Sequence, residues 1–132
     1  MRKDIEMPEV TGVKVCVGKS INKLGESEWH VYLINENLIE LTNVMIVSKG
    51  YEGKSKESRK TSTLRHMIEK VDEQSVAKVE SISPEVFGFY NEFWVSYYIL
   101  NELFDKKFVV EPFNEFELEE IVELDIKGRY AS

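Results

Sequence analysis

The sequence predicts an all-β fold, an antiparallel β-sandwich of about seven strands with an immunoglobulin-like count and spacing, plus one short helical turn. Three observations lead there: short runs of alternating apolar and polar residues recur, clusters of turn-forming residues separate them, and a single segment opens like a helix. The 132 residues, 42% hydrophobic and 11% aromatic, suit one domain over 1–132 with one core.

The first strand is expected over residues 10–17, where Thr11, Val13, Val15 and Val17 share a face, with a loop over 18–28. A second, 29–35, sets Trp29, Val31 and Leu33 against His30, Tyr32 and Ile34, so both faces are at least partly covered. The third, 43–49, stops at Gly50, and the polar, glycine- and serine-containing stretch 50–60 reads as a mobile loop. Residues 61–71 fit two periods: Leu64, Met67, Ile68 and Val71 have helical spacing, whereas Leu64, His66 and Ile68 alternate. The threonine-rich start and the β context on both sides decide for a strand. A strand with one wet face follows over 75–82. Ser83-Pro84-Glu85 then supplies an N-cap and a proline at the first helical position, predicting one turn through Phe89 that crosses between sheets. Residues 93–100 carry aromatics on both alternating faces, as a central strand would, so Trp94, Tyr97 and Tyr98, with Tyr90 before them, are assigned to the core. A turn over 101–105, a return strand over 107–112 and a last strand over 121–126 complete the chain. The Cys…Trp…Cys arrangement of immunoglobulin domains is absent.

Cys16 is the single cysteine, so no intramolecular disulfide or cysteine-rich metal cluster can form, and a buried, inert thiol is expected. No secretory signal and no run near the ~18 apolar residues of a membrane span are visible, which predicts a soluble, cytoplasmic protein without a membrane partner. No cofactor is expected. His30 and His66 lack a cysteine or second histidine at ligand spacing, so no metal site is expected either, and His30 reads as a partly buried, hydrogen-bonded residue.

Charge is unevenly distributed. The chain carries a net −7, yet Lys49, Lys54, Lys56, Arg59, Lys60, Arg65 and Lys70 gather within 22 positions opposed only by Glu52, Glu57 and Glu69. A local positive field can bind an anionic partner even on an acidic protein. The candidate anion-binding residues are Lys54, Lys56, Arg59, Lys60, Thr61, Ser62, Arg65 and His66, which offer ammonium, guanidinium, hydroxyl and imidazole donors suited to phosphate or carboxylate. A charged edge strand that resists strand addition would use the same residues. Ser62 and His66 could be written into a nucleophile–base scheme, but two residues of one segment do not make a catalytic site, and no catalytic residue is assigned. The Gly-Lys-Ser of 53–55 lacks the first glycine of a phosphate-binding loop. Stacking of nucleic-acid bases would need exposed rings beside the basic residues, and Tyr51 is the sole aromatic inside that stretch. The acids from Glu111 to Asp125 read as a solvated face or loose tail.

Several strings carry a family resemblance. They are Met1-Arg2-Lys3-Asp4-Ile5, Pro8-Glu9-Val10, Tyr32-Leu33-Ile34-Asn35, Val47-Ser48-Lys49-Gly50-Tyr51, Lys60-Thr61-Ser62-Thr63-Leu64-Arg65-His66, Ala77-Lys78-Val79-Glu80 and Asp105-Lys106-Lys107-Phe108. On these the chain resembles a family of short, uncharacterised bacterial proteins, some of which bear the label phenylalanine–tRNA ligase alpha subunit. The resemblance implies a standalone protein of this size, and the label implies an association with tRNA aminoacylation. The arginine–glutamate pair and the glycine-rich, arginine-ending segment of a class II synthetase are absent from the chain.

The leading expectation is a non-catalytic binding or interaction module whose basic loop meets an anionic partner: an acidic protein, RNA or a phosphorylated metabolite. The alternative is a homo-oligomeric structural protein in which the acidic segment of one copy meets the basic stretch of another.

Overall fold

The computed structural model describes residues 8–53 and 59–132. It is nearly all β. The strands are β1 (Val13–Ile21), β2 (Ser27–Asn35), β3 (Leu41–Tyr51), β4 (Leu64–Val71), β5 (Ser75–Ser81), β6 (Tyr90–Ile99), β7 (Glu102–Val110), β8 (Glu119–Ile121) and β9 (Ile126–Tyr130), with one 3-10 turn at Pro84–Val86. They form two antiparallel sheets, a five-stranded one ordered β5-β2-β1-β9-β8 and a four-stranded one ordered β4-β3-β6-β7. Each strand pair runs antiparallel.

Period-two alternation explains how the sheets close on each other. Val13, Val15, Val17, Trp29, Val31 and Leu33 point inward from the five-stranded sheet, and Val44, Ile46, Phe93, Val95, Tyr97, Phe108 and Val110 meet them from the other. Phe87, beside the 3-10 turn, packs edge-on to Trp29 at 4.8 Å and stacks on Phe113 at 4.5 Å, closing one end of the core. The capped turn forms as its sequence predicts, with the Ser83 hydroxyl accepting from the Glu85 N–H, and the chain crosses there from one sheet to the other.

Within 61–71, Leu64–Val71 is a strand, β4. Other expected boundaries move, for physical reasons. The loop expected over 18–28 is mostly a hairpin: Gly18–Ile21 pair in register with Ser27–His30, and Asn22 ties the short turn by accepting from the Leu24 and Glu26 N–H groups. β3 runs past its expected stop to Tyr51, and Lys60 and Thr61 pair back onto it, so the described ends of the expected 50–60 loop are ordered. The turn expected over 101–105 shrinks to Leu100-Asn101, because Glu102 already pairs with Ile99. Residues 121–126 are not one strand: Ile121 ends β8, Ile126 opens β9 and 122–125 turn between them, which brings the sandwich to nine strands among the described residues.

The two outer faces are treated differently. On the five-stranded sheet, Cys16, Tyr32 and Ile34 are buried under Ile121, with Leu124, Ile126 and Tyr130 packed alongside. β9 approaches β1 so closely that a Cβ on Gly128 would stand 1.9 Å from the Val17 carbonyl oxygen, so only glycine fits. Burial pushes the Cys16 thiol up to about 12, in keeping with an unreactive cysteine. His30 is half-buried as expected, yet its Nδ1 finds no partner among the described residues; burial first, and then Lys78, lowers its pKa. No helix among the described residues is long and apolar enough to cross a membrane.

Candidate interaction surface

No comparable cover lies over the outer face of the four-stranded sheet among the described residues. Strand register identifies its members, since residues directly opposite in an antiparallel pair share a face. One row runs Arg65, Val47, Trp94, Lys107 across β4, β3, β6 and β7; the next runs Met67, Met45, Ser96, Asp105. Tyr98 pairs with Leu103 below them. Above, Lys49 pairs with Glu92, and Tyr51 stacks on Tyr90 at 5.7 Å with the rings 11° apart. At strand spacings of about 4.8 Å and rises of about 3.3 Å per residue, this face measures roughly 14 Å by 27 Å.

Its apolar side chains are left in solvent: Met67 is 70% exposed, Trp94 44%, and Met45, Tyr98 and Leu103 are each more than a third exposed. The largest exposed apolar patch on a monomer is often functional, and apolar side chains left in solvent together on one face make it a candidate contact surface. Trp, Tyr, Met and Arg are also the residue types that interface centres gather. The sequence assigned Trp94 and Tyr98 to the core; the structure overturns this, because Phe93, Val95 and Tyr97 take the inner face and their neighbours must point out. Glu92 and Ser96, on the same side as Trp94 and Tyr98, were the polar signal that this face is wet.

The charged groups sort by the same parity. Glu92 bridges Lys49 at 3.7 Å and Lys107 at 3.8 Å, and Asp105 accepts the indole N–H of Trp94. Among the described residues, Lys60 and Arg65 have no carboxylate within 4 Å. Lys60 pairs opposite Tyr51 and Arg65 opposite Val47, so both lie on this outer face. Lys60, Lys49, Arg65 and Lys107 outnumber Glu92 and make its Tyr51 end positive, while at the far end Asp105 and Glu69 stand with a single lysine, Lys70, opposite Thr42.

The six described members of the eight candidate anion-binding residues do not form one site. Lys54 and Lys56 lie outside the described residues. Arg59 is spoken for by Glu52 at 2.5 Å and sits over the Phe89 ring at 5.6 Å. Thr61 turns its hydroxyl to accept from the Gly50 N–H and donate to the Ser62 carbonyl. Arg65 and His66, neighbours in sequence, project to opposite faces of β4. His66 points between the sheets, where its Nε2 lies 2.7 Å from Oε1 of Glu80, and the Ser48 hydroxyl donates to that same oxygen at 2.8 Å. Against an ionised Glu80, which can only accept, Nε2 is the donor. Both partners therefore converge on Glu80, and serine does not donate to histidine as a nucleophile–base pair requires. Ser62 lies in a different wall of the cleft beside this cluster and has no hydrogen bond to His66 among the described residues.

The acidic stretch is likewise ordered rather than loose. Glu123 takes hydrogen bonds from Lys14, at 2.8 Å, and from Tyr130; Glu119 accepts from the Tyr130 N–H; Glu120 pairs with Lys127 at 3.5 Å. Comparison of the chain with family models, with curated proteins and with solved structures finds no match.

Proposed function

We propose that the protein is a non-catalytic interaction module that binds an anionic protein surface across the outer face of its four-stranded sheet. One observation carries this reading: among the described residues, the β8–β9 segment buries the outer face of one sheet, while Met45, Met67, Trp94, Tyr98 and Leu103 stay exposed on the other. Apolar contact from these side chains supplies affinity, and Lys60, Arg65 and Lys107 at the positive end select an acidic partner and fix its orientation. We read the sandwich itself as immunoglobulin-like. In support, the first seven strands divide as 5-2-1 and 4-3-6-7, the immunoglobulin division with the fourth strand moved to the edge of the sheet that holds the third, sixth and seventh; β9 and β8 extend the first sheet.

A second copy is the other occupant with an observation behind it. Arg65 and Glu69 flank Met67 on the outward side of β4, so two copies laid face to face about a two-fold axis at Met67 set each Arg65 against the other's Glu69.

The test is co-purification from the producing cell with the wild-type chain and with Trp94→Ala and Arg65→Glu. Trp94→Ala should weaken capture by on the order of tenfold or more, and Arg65→Glu should reduce the salt dependence of capture. A partner retained equally by all three proteins would sink the proposal, and a partner lost on ribonuclease treatment would replace protein with RNA.

A further inference from the structure

The margin of the sandwich between β4 and β5 holds a second feature, separate from the outer face. These two strands border different sheets and are joined at one end by the tight turn after Val71. They diverge toward Leu64 and Ser81, and a cleft of about 190 Å³ opens between them, room for about six waters at roughly 30 Å³ each. Its walls mix hydroxyls (Ser48, Ser62, Ser83) with apolar groups (Ile82, Val86, Phe93), and Glu80 lines it from the inner side of β5.

Glu80 is the anomaly. Its side chain is only 11% exposed and faces the space between the sheets, where a carboxylate is costly unless its charge is answered. What answers it is a hydroxyl and an imidazole, both on Oε1; among the described residues neither Oε2 nor Oδ1 of the nearby Asn91 accepts a hydrogen bond. Asn91 is 5% exposed, and its Nδ2 is fixed by the carbonyls of Val86 and Phe89, which turns Oδ1 toward the Gly50 side of the cleft. The ammonium of Lys49 does not answer Glu80, since Lys49 projects to the outer face and pairs with Glu92. The cleft thus presents oriented acceptors, one of them anionic, above an apolar wall.

We infer that this cleft binds a small organic cation, an alkylammonium or guanidinium head on a short apolar stem. The head donates to Glu80 and Asn91, and the stem lies against Ile82, Val86 and Phe93. Ser48 and His66 hold the carboxylate in position and need not touch the ligand. The same chemistry is offered by a free amine and by a lysine side chain of a peptide.

Backbone amide chemical shifts, followed residue by residue, report both binding and its place on the molecule. Wild-type protein is titrated with n-butylammonium, with N-acetyl-lysine methylamide and with neutral 1-butanol. Saturable shifts at Gly50, Ser81 and Asn91 are expected with the two cations and not with the alcohol. A tighter free amine identifies a metabolite as the source, and a tighter lysine amide identifies a protein chain. Glu80→Gln, which still accepts from Ser48 and His66, should weaken the cations by on the order of tenfold or more. Ser62→Trp, which fills the mouth and leaves Glu80 intact, should abolish the shifts. Equal binding of butanol and butylammonium, unchanged affinity in Glu80→Gln, or no saturable shift with either cation overturns the inference.

Discussion

Residue by residue, this chain places chemistry by parity. Arg65 and His66 read together as one donor pair, but a strand sends adjacent side chains to opposite faces, so one guanidinium meets solvent and the imidazole meets Glu80. Charge counted along the sequence could not reveal this, because net charge has no face. A different constraint governs Leu100. It occupies the left-handed region at φ 56 in the two-residue turn between β6 and β7, and its side chain is 76% exposed, so little packing compensates for the strain. The left-handed conformation costs a residue with a Cβ about 1 kcal/mol, and asparagine or glycine tolerates it better. Leu100→Gly is therefore expected to raise stability by about 1 kcal/mol, read as a higher urea midpoint at unchanged slope. An unchanged or lower midpoint would mean that Leu100 makes a contact worth as much as the strain.

Among the elements, the β8–β9 turn shows how a single carboxylate can anchor a cover. Burial works against the charge of Glu123, but hydrogen bonds from Lys14 and Tyr130 outweigh it and bring the carboxyl down to about 2. Lys14 is raised in turn, chiefly by the same hydrogen bond to Glu123. A carboxylate with a folded pKa below its unfolded value of about 4.3 stabilises the fold above that value. The contribution is lost as pH falls from about 4.3 toward about 2. Glu123→Gln is accordingly expected to be less stable than wild type at neutral pH, with the gap closing across that acid window. Urea denaturation at a series of pH values measures it, and a gap that persists to the acid limit would assign the loss to packing instead. The elements themselves were largely legible. β2, β3 and β5 declared themselves by alternation, β4 by its threonine-rich start and β context, β6 by its dense apolar run, and the capped turn at Ser83 by its proline. The C-terminal pair did not, because Ile121, Leu124 and Ile126 are apolar for the sake of covering Cys16 and Tyr32, and so imitate the pattern of a strand. In β6 the difficulty was the reverse. Trp94 and Tyr98 are as apolar as Phe93 and Tyr97, and burial, which separates them, depends on the presence or absence of a layer above the sheet.

At the scale of the molecule, the described residues form an asymmetric two-sheet sandwich with one outer face covered and one bare. That asymmetry could not be read from the sequence, since it depends on where the last dozen residues come to rest. It also reassigns the basic stretch, whose Lys60 and Arg65 become the charged margin of an apolar surface rather than a loop acting alone. The central claim, that this surface is where a partner sits, is met most directly by a photo-crosslinking residue placed at four exposed apolar positions in the producing cell. Met67 and Leu103 stand on the bare face; Leu24 and Val122 are comparably or more exposed but lie elsewhere. Discrete adducts are predicted from positions 67 and 103 and not from 24 and 122, with an adduct of twice the chain mass identifying a second copy and any other mass a distinct partner. Adducts confined to 24 and 122, or the same adducts from all four, would contradict it.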